Sequence, residues 1–402
     1  MDRMIAPDAA FRARAGLAEL TEALGAAHGQ VRFVGGIVRD TLLGIDAADI
    51  DLATSHQPED VIHAVKRAGI KVVPTGLAHG TVTAVLASGP VEVTTLRRDV
   101  STDGRHAVVA FTDDWREDAA RRDFTINALY ADPLTGAVID YFGGLDDLAA
   151  ARVRFIGDPL QRIAEDHLRI LRFFRFHARF GDAPDAAGLA ACIDRANDLM
   201  ALSRERIAAE LLKLLVARHA VRVVGLMVEN AVLAPVLPEI DAAGVARFAR
   251  LAEREAAGSI APDPLRRLAA LLPADETLAE NVGARLRLSK LDRRRLISGA
   301  AHVGGESPQA IGYRLGLALA TDRLLLSDRP LDQLAQLGNW TPPVLPLTGG
   351  QLVARGLDKG PDVARMLRQI EESWIAEDFP DAARVASLAD EAAAQWRADR
   401  KA

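Results

Sequence analysis

The stretch VRFVGGIVRDTLLGIDAADIDLAT, residues 31–54, decides the fold of this chain. It begins with four residues of β type, Val31–Val34, and a glycine pair follows them directly. A short amphipathic segment comes next, and the sequence Asp-Ile-Asp-Leu closes the stretch at residues 49–52. This order predicts a strand, a glycine turn, a short helix and a second strand in immediate succession.

The two carboxylates of this stretch are expected on one face of the second strand. Side chains alternate along a strand, so Asp49 and Asp51 share a face and Ile50 points the other way. Like charges on one face repel, and a divalent cation between them relieves the repulsion; hard oxygen ligands suit Mg²⁺. Because Mg²⁺ in proteins usually binds substrate phosphates as well, the pair predicts a magnesium site for a nucleoside triphosphate.

The glycine pair supplies the other half of such a site. Gly35 and Gly36 let backbone N–H groups approach a phosphate at the start of a helix, and Arg39 lies about one turn further on, within reach of a triphosphate. A surface strand with a solvated Asp-x-Asp pair and an ordinary glycine turn is the alternative. The order and closeness of the two halves favour the phosphate and metal site.

The composition limits the class of protein. With 402 residues, of which 49% are apolar, the chain is long enough for several structural units with large cores. The net charge of −6 confines any nucleic-acid surface to a local patch. The single cysteine, Cys192, excludes an intramolecular disulfide and a cysteine metal cluster. The sequence has no signal-peptide core and no apolar run of about 18 residues, so we expect a cytoplasmic protein without a membrane partner.

Hydrophobic periodicity divides the chain into two kinds of structure. Residues 31–150, after a leading helix in residues 1–30, alternate β-type and helical patterns, which predict a small α/β head. Beyond residue 150 only helical patterns continue, so the predicted fold class is α+β, with a small α/β head followed by an all-α remainder. Strands are predicted at residues 31–34, 50–53, 71–74, 81–86, 91–96 and 138–141, and helices at 38–43, 58–68 and 114–130.

A third carboxylate candidate lies in the run VEVTT, residues 91–95. Two-metal phosphoryl transfer commonly uses a further acidic group or base, and Glu92 is the candidate for that role. A glutamate on an edge strand that faces water is the alternative, and the sequence leaves both interpretations open.

The run RRDFTINA, residues 121–128, is the second cluster of polar groups in the head. Arg121 and Arg122 suit bidentate phosphate contacts. On the predicted helix, Asn127 follows Asp123 by four residues, so the two side chains share a face and are candidates for nucleotide binding. The alternative, a solvated basic helix, leaves the clustering of these groups beside apolar residues unexplained.

A helix predicted over residues 161–180, QRIAEDHLRILRFFRFHARF, carries the third cluster. Asp166, Arg169 and Arg172 share one of its faces at intervals of three residues. A carboxylate accepts a hydrogen bond from an exocyclic amino group and a guanidinium donates one to a ring nitrogen, which matches cytosine and adenine. Uracil and guanine present the donor and the acceptor in the reverse order, so this face predicts recognition of C and A. A solvent-exposed Asp–Arg pair is the alternative.

Five motifs in this order closely resemble those of the class II tRNA nucleotidyltransferases, the CCA-adding enzymes, which share their head with bacterial poly(A) polymerases. The motifs are GGxVRD at residues 35–40, DxD at 49–51, RRDFTxNA at 121–128, EDxxR at 165–169 and SRERIxxE at 203–210. The resemblance is specific over roughly residues 31–215 and less specific in the C-terminal part.

The resemblance implies an organisation for the whole chain. A nucleotidyltransferase head of the polymerase-β-like type, with a mixed sheet, would occupy residues 31–150. A helical neck with the amino-acid template for the incoming base would occupy residues 151–215. A helical body and tail that bind tRNA would fill residues 216–402. In the neck, Glu205 and Arg206 are expected to brace the template helix rather than contact substrate.

The resemblance also implies a role for each candidate residue. Asp49 and Asp51 would hold the catalytic Mg²⁺ ions, with Glu92 as the candidate third catalytic carboxylate. Among the nucleotide-binding candidates, Asp166 and Arg169 would act as the amino-acid template for the incoming base, with Arg172 nearby. These candidates are Gly35, Gly36, Arg39, Arg121, Arg122, Asp123, Asn127, Asp166, Arg169 and Arg172.

The implied reaction is attack of a tRNA 3′-hydroxyl on the α-phosphate of CTP or ATP, which builds or repairs the 3′-terminal CCA and releases pyrophosphate. Three alternatives stay open: a poly(A) polymerase, an enzyme that adds only C or only A, and a non-catalytic RNA-binding relative. The best local candidate for a tRNA surface is the basic run RLRLSKLDRRR, residues 285–295, for which a solvated helix face is the alternative.

Overall fold

The structure, a computed structural model, describes residues 4–47, 49–102, 107–302 and 304–399. The chain divides into two compact units, Met1–Pro238 and Glu239–Ala402, each with a hydrophobic core of its own. All strands of the described residues lie in the first unit, and the described part of the second unit is helical. The predicted α+β class is confirmed.

A central mixed sheet organises the first unit. Its strands and those of a separate hairpin are β1 Val31–Val34, β2 Asp51–Thr54, β3 Lys71–Gly76, β4 Thr81–Leu86, β5 Gly89–Thr95, β6 Arg97–Thr102, β7 Ala107–Phe111, β8 Leu129–Ala131 and β9 Val138–Asp140. The sheet has the order β3-β4-β5-β2-β1-β8-β9, and β6 pairs with β7 alone. β2 and β5 run parallel, whereas the other described neighbours are antiparallel. The start of β2 therefore lies between β1 and β5, in the middle of the sheet.

Ten α-helices accompany the sheet in the described part of the first unit. They are α1 Leu17–Ala23, α2 Gly36–Leu42, α3 Pro58–Arg67, α4 Trp115–Ala120, α5 Gly144–Ala149, α6 Pro159–Glu165, α7 Leu168–Phe180, α8 Ala186–Asp194, α9 Arg204–Leu215 and α10 Ala220–Glu229. On α7, the fully buried Phe173 stacks on Phe155 with ring centroids 5.6 Å apart. This contact anchors the apolar side of α7.

The six predicted strands are confirmed, with ends shifted by at most two residues, but β6, β7 and β8 are not predicted by the sequence patterns. The helix predicted over residues 114–130 is wrong beyond Ala120, where α4 ends. The rest forms a 3₁₀ turn, Thr125–Asn127, followed by β8. Local side-chain bonding competes with the helix here, because the carboxylate of Asp123 accepts the N–H of Phe124 at 2.9 Å.

The helix predicted over residues 161–180 is wrong in its continuity, because α6 and α7 are two separate helices. Asp166 leaves the helical conformation, with φ −152° and ψ 106°. Its carboxylate accepts the N–H of Leu168 at 3.1 Å, which satisfies one of the free donors at the start of α7. Asp166 therefore precedes the helix that carries Arg169 and Arg172 instead of sharing a helical face with them.

The second unit consists of helices around its own core. They are α11 Ala242–Ala257, α12 Pro264–Leu271, α13 Glu276–Arg285, α14 Lys290–Ala300, α15 Pro308–Leu315, α16 Leu317–Leu326, α17 Asp332–Gly338, α18 Gly349–Ala354, α19 Pro361–Ala376 and α20 Ala382–Asp399. A buried ion network joins three of them, in which Arg266 pairs with Glu255 at 2.6 Å and with Asp322 at 3.1 Å. Among the described residues, none of the helices combines the length and apolar character that a membrane span requires.

Candidate functional site

A polar cavity of about 580 Å³ lies in the first unit. The glycine turn before α2, the start of β2, the segment after α4 and the polar side of α7 form its walls. The lining residues are Gly35, Gly36, Arg39, Asp49, Asp51, Arg121, Arg122, Asp123, Asn127, Asp166, Arg169, Arg172, Arg175 and Phe176. Twelve of the thirteen residues that the sequence singles out therefore meet in one cavity, and Glu92 is the exception.

The carboxylate pair lies where the sequence predicts it. Between Asp49 and Asp51, Ile50 is 1% exposed, and its carbonyl accepts the N–H of Glu92 at 3.1 Å. Extended pairing thus reaches back to Ile50 although β2 begins one residue later, and both carboxylates line the cavity. Burial raises the pKa of Asp51, and the negative charges of Glu92 and Asp49 raise it further against an opposing effect of Arg122.

The donor chemistry of this wall fits a hard divalent cation. Two carboxylates that repel each other are stabilised by a cation between them, and carboxylate oxygens are ligands that such a cation prefers. In the part of the chain that the structure describes, no three His, Cys, Asp or Glu side chains are grouped to share one metal ion. Asp49 and Asp51 would therefore be the protein ligands, with water and substrate phosphates as the others, which is common for Mg²⁺.

Glu92 lies beside Asp51 in the sheet but outside the cavity lining. The two residues are register partners in the parallel pair of β2 and β5, so their side chains lie on the same face. Because β5 is flanked by β4 as well as β2, the alternative of a glutamate on an edge strand is wrong. Glu92 is exposed, and its role as a third catalytic carboxylate stays a prediction.

The glycine turn forms as predicted, and the side chain of Arg39 is buried and hydrogen-bonded to neighbouring residues. Gly35 has φ 71° and ψ −119°, a conformation that favours glycine, and α2 begins at Gly36. Arg39 is only 4% exposed; its Nε donates to Asp40 at 2.8 Å and its Nη1 donates to the side-chain oxygen of Asn127. Burial lowers the pKa of Arg39 despite the opposing effect of Asp40. A contact between Arg39 and a triphosphate stays a prediction.

A buried carboxylate that the sequence patterns do not single out holds both arginines of the RRDFTINA run. The Oδ1 atom of Asp118, on α4, accepts from Nε of Arg121 at 2.9 Å. Its Oδ2 atom accepts from Nη2 of Arg122 at 3.1 Å. Spacings of three and four residues at a helix end are the signal that could have found Asp118.

Asp123 connects the segment after α4 with α7. Its Oδ1 atom accepts from Nδ2 of Asn127 at 2.9 Å, and its Oδ2 atom accepts from Nε and Nη2 of Arg172 at 2.8 and 2.5 Å. Burial alone would raise the pKa of Asp123, but Arg172 and the hydrogen bonds lower it to about 2. The carboxylate is therefore ionised at neutral pH.

The side chains that the sequence assigns to base reading are held by neighbours on several elements. Nη1 of Arg169 donates to Glu165 at 2.5 Å, and its Nη2 donates to the carbonyl of Arg121 at 3.2 Å. Both oxygens of Asp166 accept from Nη2 of Arg206, on α9, at 3.1 and 3.0 Å. Arg206 therefore fixes the orientation of the Asp166 carboxylate directly.

Two further lining residues, Arg175 and Phe176, are missed by the sequence interpretation. Nε of Arg175 donates to Glu210, on α9, at 2.5 Å. The guanidinium of Arg175 lies 4.2 Å from the ring centroid of Phe176, and that of Arg172 lies 5.3 Å from it, within the range of a cation–π contact. The helical period continues the face of Arg169 and Arg172 to Phe176, which is the signal that could have found it.

Nearby carboxylates compensate part of the positive charge of the basic run at residues 285–295 in the second unit. Three of its arginines form ion pairs, namely Arg285 with Glu239 at 2.6 Å, Arg293 with Glu280 at 3.1 Å and Arg295 with Asp322 at 2.6 Å. Paired arginines attract a phosphate backbone less than free ones do. A tRNA surface at this run stays a prediction.

Family comparisons cover both the first unit and the whole chain. Residues 31–154 match the family described as poly A polymerase head domain, and residues 185–243 match the family described as probable RNA and SrmB-binding site of polymerase A. The mitochondrial CCA tRNA nucleotidyltransferase 1 of Homo sapiens is 33% identical over 388 residues, which cover 89% of this chain and 86% of the relative. The CCA-adding enzyme of Lacticaseibacillus paracasei is 32% identical over 384 residues, with 89% and 90% covered.

Solved structures with the same fold include two bound to ligands. The Bacillus stearothermophilus CCA-adding enzyme in complex with CTP is 26% identical, with a TM-score of 0.69 over 94% of this chain and 99% of that chain. The Thermotoga maritima CCA-adding enzyme complexed with tRNA is 20% identical, with a TM-score of 0.71 over 98% of this chain and all of that chain. At that lower identity the second likeness concerns the fold alone.

Proposed function

This chain belongs to the family of the CCA-adding tRNA nucleotidyltransferases, and we propose that it uses CTP and ATP to build or repair the 3′-terminal CCA of tRNA. The observation that carries the proposal is the single cavity of the first unit. In it, a carboxylate pair, a glycine turn, a set of arginines and an Asp–Arg pair for base reading lie together.

The proposed reaction joins the 3′-oxygen of the tRNA to the α-phosphorus of the nucleotide, and the proton of the 3′-hydroxyl is released to solvent. The bond from that phosphorus to the bridging oxygen of the β-phosphate breaks, and pyrophosphate leaves. A divalent cation held by Asp49 and Asp51, for which we propose Mg²⁺, would supply Lewis acidity that neutralises charge on the phosphates. Six arginines against four aspartates line the cavity, so the protein itself favours the polyanionic triphosphate.

Selection of C and A is proposed to depend on Asp166 and Arg169. A carboxylate offers about four lone-pair sites, so Asp166 can accept from a base amino group while Arg206 is bound to it. Arg169 donates through Nη1 and Nη2 to protein acceptors. We propose that its Nε–H donates to a ring nitrogen of the base. A carbonyl oxygen in place of the amino group faces Asp166 unfavourably, which excludes U and G.

A poly(A) polymerase is the first rival, because it would share the head and the metal chemistry. An enzyme that adds only C or only A is the second. The relatives that cover 89% of this chain are named for CCA addition, which favours the proposed function over both. A non-catalytic RNA-binding relative would be expected to lose its carboxylate pair, whereas Asp49 and Asp51 are both present.

The test is nucleotide incorporation by the purified protein into tRNA transcripts that lack CCA, end in C, end in CC or end in CCA. We expect CTP alone to extend the first two to CC, ATP alone to extend only the CC end, and both together to produce CCA. Long A tracts would support a poly(A) polymerase. Addition of a single kind of nucleotide would support a C-only or A-only enzyme.

We also propose a cytoplasmic location, as the sequence suggests. The relative from Homo sapiens is named as mitochondrial, so the location needs a test of its own. Fractionation of the source cells with antibodies against this chain would provide it. Recovery with an organelle or membrane fraction would contradict the proposal.

A further inference from the structure

Asp118 lies behind the wall of the cavity and does not line it. It is 1% exposed, yet its carboxylate contacts two side chains that do line the cavity. Oδ1 accepts from Nε and Nη2 of Arg121 at 2.9 and 2.8 Å, and Oδ2 accepts from Nη2 of Arg122 at 3.1 Å. One buried carboxylate thus fixes two guanidiniums at the cavity wall.

Tyr130 closes this group of side chains from the far side. Its hydroxyl donates to Oδ2 of Asp118 at 2.6 Å and accepts from Nε of Arg122 at 3.3 Å. Burial alone would raise the pKa of Asp118, but the charges of Arg122 and Arg121 lower it to about 2. Two cations and one anion leave a net positive charge at the wall, which suits an anionic ligand.

The arrangement matches a preorganised phosphate site. Arginine side chains are long and lose much rotational freedom when they bind a phosphate, unless the protein already holds them in place. A charge-assisted hydrogen bond that the guanidinium donates to a buried carboxylate provides that restraint. Asp118 makes such bonds to Arg121 and Arg122 and has no direct route to a ligand in the cavity.

We propose that Asp118 is a positioning residue for the phosphates of the incoming nucleotide, acting through Arg121 and Arg122. This proposal rests on the proposed function of the same cavity. Because the phosphates are common to CTP and ATP, loss of Asp118 weakens the binding of both nucleotides equally. The binding of inorganic pyrophosphate, which carries phosphate groups without a base, is weakened to the same extent.

The test is isothermal titration calorimetry of the full chain and of Asp118→Asn with CTP, ATP and pyrophosphate, each with Mg²⁺. We expect the Kd of all three ligands to rise by about tenfold in Asp118→Asn, because one charge-assisted bond to an arginine is lost. Asp146→Asn, an exposed aspartate on α5 of the same unit, is the matched control and is expected to bind like the wild type.

Tyr130→Phe provides a second, milder variant. It keeps the ring that packs edge-on against Trp115 at 5.5 Å, but it removes the hydroxyl that donates to Asp118. We expect smaller Kd increases, of about two- to threefold, for the same three ligands, because the Asp118 carboxylate keeps its contacts to both arginines and loses only the hydroxyl that restrains it. This variant decides the proposal if Asp118→Asn does not fold in a thermal-unfolding check.

Unchanged pyrophosphate binding in a folded Asp118→Asn would overturn the proposal, as would a rise confined to CTP or to ATP. In the first case the carboxylate would only support the fold, and in the second it would act on the base. Calorimetry needs no tRNA, so it reports on Asp118 even if the incorporation assay disproves CCA addition. Failure of the positioning role and failure of the proposed function are therefore distinguishable.

Discussion

At the scale of single residues, the proposed chemistry depends most on Asp51. It begins the central strand β2 and lies in the cavity wall, close enough to Glu92 and Asp49 for their charges to raise its pKa. Carboxylates are normally kept apart unless a cation or proton compensates them. We therefore interpret the crowding of negative charge at one end of a cavity rich in arginine as a sign of the proposed metal site.

Asp51→Asn and Asp49→Asn should each abolish incorporation while tRNA binding stays near the wild-type value. The substitution removes a charged metal ligand, and we expect a loss of at least about a hundredfold in single-turnover rate. Filter binding of tRNA measures the second quantity. Asp46→Asn, an exposed aspartate shortly before the pair, is the control. Turnover near the wild-type rate in either variant would remove that residue from the site.

Arg206→Met should loosen the selection of C and A against U and G. Arg206 holds both oxygens of Asp166, so without it the N–H of Leu168 on one oxygen restrains the carboxylate less firmly. We expect UTP misincorporation to rise by about tenfold, as for the loss of one oriented hydrogen bond, with little change in the KM for CTP. Competition assays with CTP and UTP measure this. Arg204→Met, on the same helix, should keep wild-type selectivity; equal selectivity in both variants would contradict the role of Arg206.

Residue chemistry alone predicts most of the lining of the cavity, because motifs report which side chains act together. Asp118 and Arg175 escape that reasoning for a physical reason. Asp118 acts through its neighbours from behind the wall, and Arg175 is oriented by Glu210 on α9, a contact between residues 35 positions apart. Phe176 is an apolar residue of a kind common in cores, so only its helical spacing from Arg169 and Arg172 distinguishes it in the sequence.

At the scale of elements, the β-type runs are predicted well because alternation is a local property. The prediction of a helix over residues 114–130 is wrong in its second half. The sequence there matches helical periodicity by chance, whereas local and tertiary hydrogen bonds determine the backbone conformation. Thr125 shows this, since its hydroxyl donates to the buried Asp147 at 2.6 Å. The break between α6 and α7 at Asp166 is not predicted for a related reason. A single extended residue between two helices leaves no gap in the hydrophobic pattern.

The junction of α7 and α10 should make stability depend on pH. His177, on α7, is fully buried, and Nη1 of Arg222, on α10, donates to its Nε2 at 3.2 Å. Burial, followed by the positive charges of Arg222 and His219, lowers the pKa of His177 from 6.5 to about 4. The unfolded chain therefore binds more protons than the folded chain between these values.

The stabilising contribution of His177 is complete above about pH 6.5 and is lost as pH falls toward 4, which amounts to about 3 kcal/mol. Urea unfolding at several pH values measures this quantity. In His177→Gln, the free energy of unfolding should lack this dependence on pH. In His28→Gln, a substitution of an exposed histidine in the same unit, the dependence should be kept. An identical slope in His177→Gln would show that other groups cause it.

At the scale of the whole molecule, the two compact units differ in what they hold. The first unit, Met1–Pro238, contains the cavity and all of its candidate residues. The second unit has its own core and ion network, and three arginines of its basic run form ion pairs. The predicted divisions at residues 150 and 215 fall inside the first unit and stay predictions. Motifs indicate which segments share a function, whereas packing determines which segments form a compact unit. The boundaries from motifs and from packing therefore need not coincide.

The most direct measurement is diffraction from crystals grown with CTP and Mn²⁺ in place of Mg²⁺. Anomalous scattering locates the metal independently of the nucleotide. The central claim predicts a manganese peak at the carboxylates of Asp49 and Asp51, with the triphosphate beside Gly36 and the cytosine edge at Asp166 and Arg169. A manganese peak away from those two carboxylates, or CTP bound outside this cavity, would contradict it.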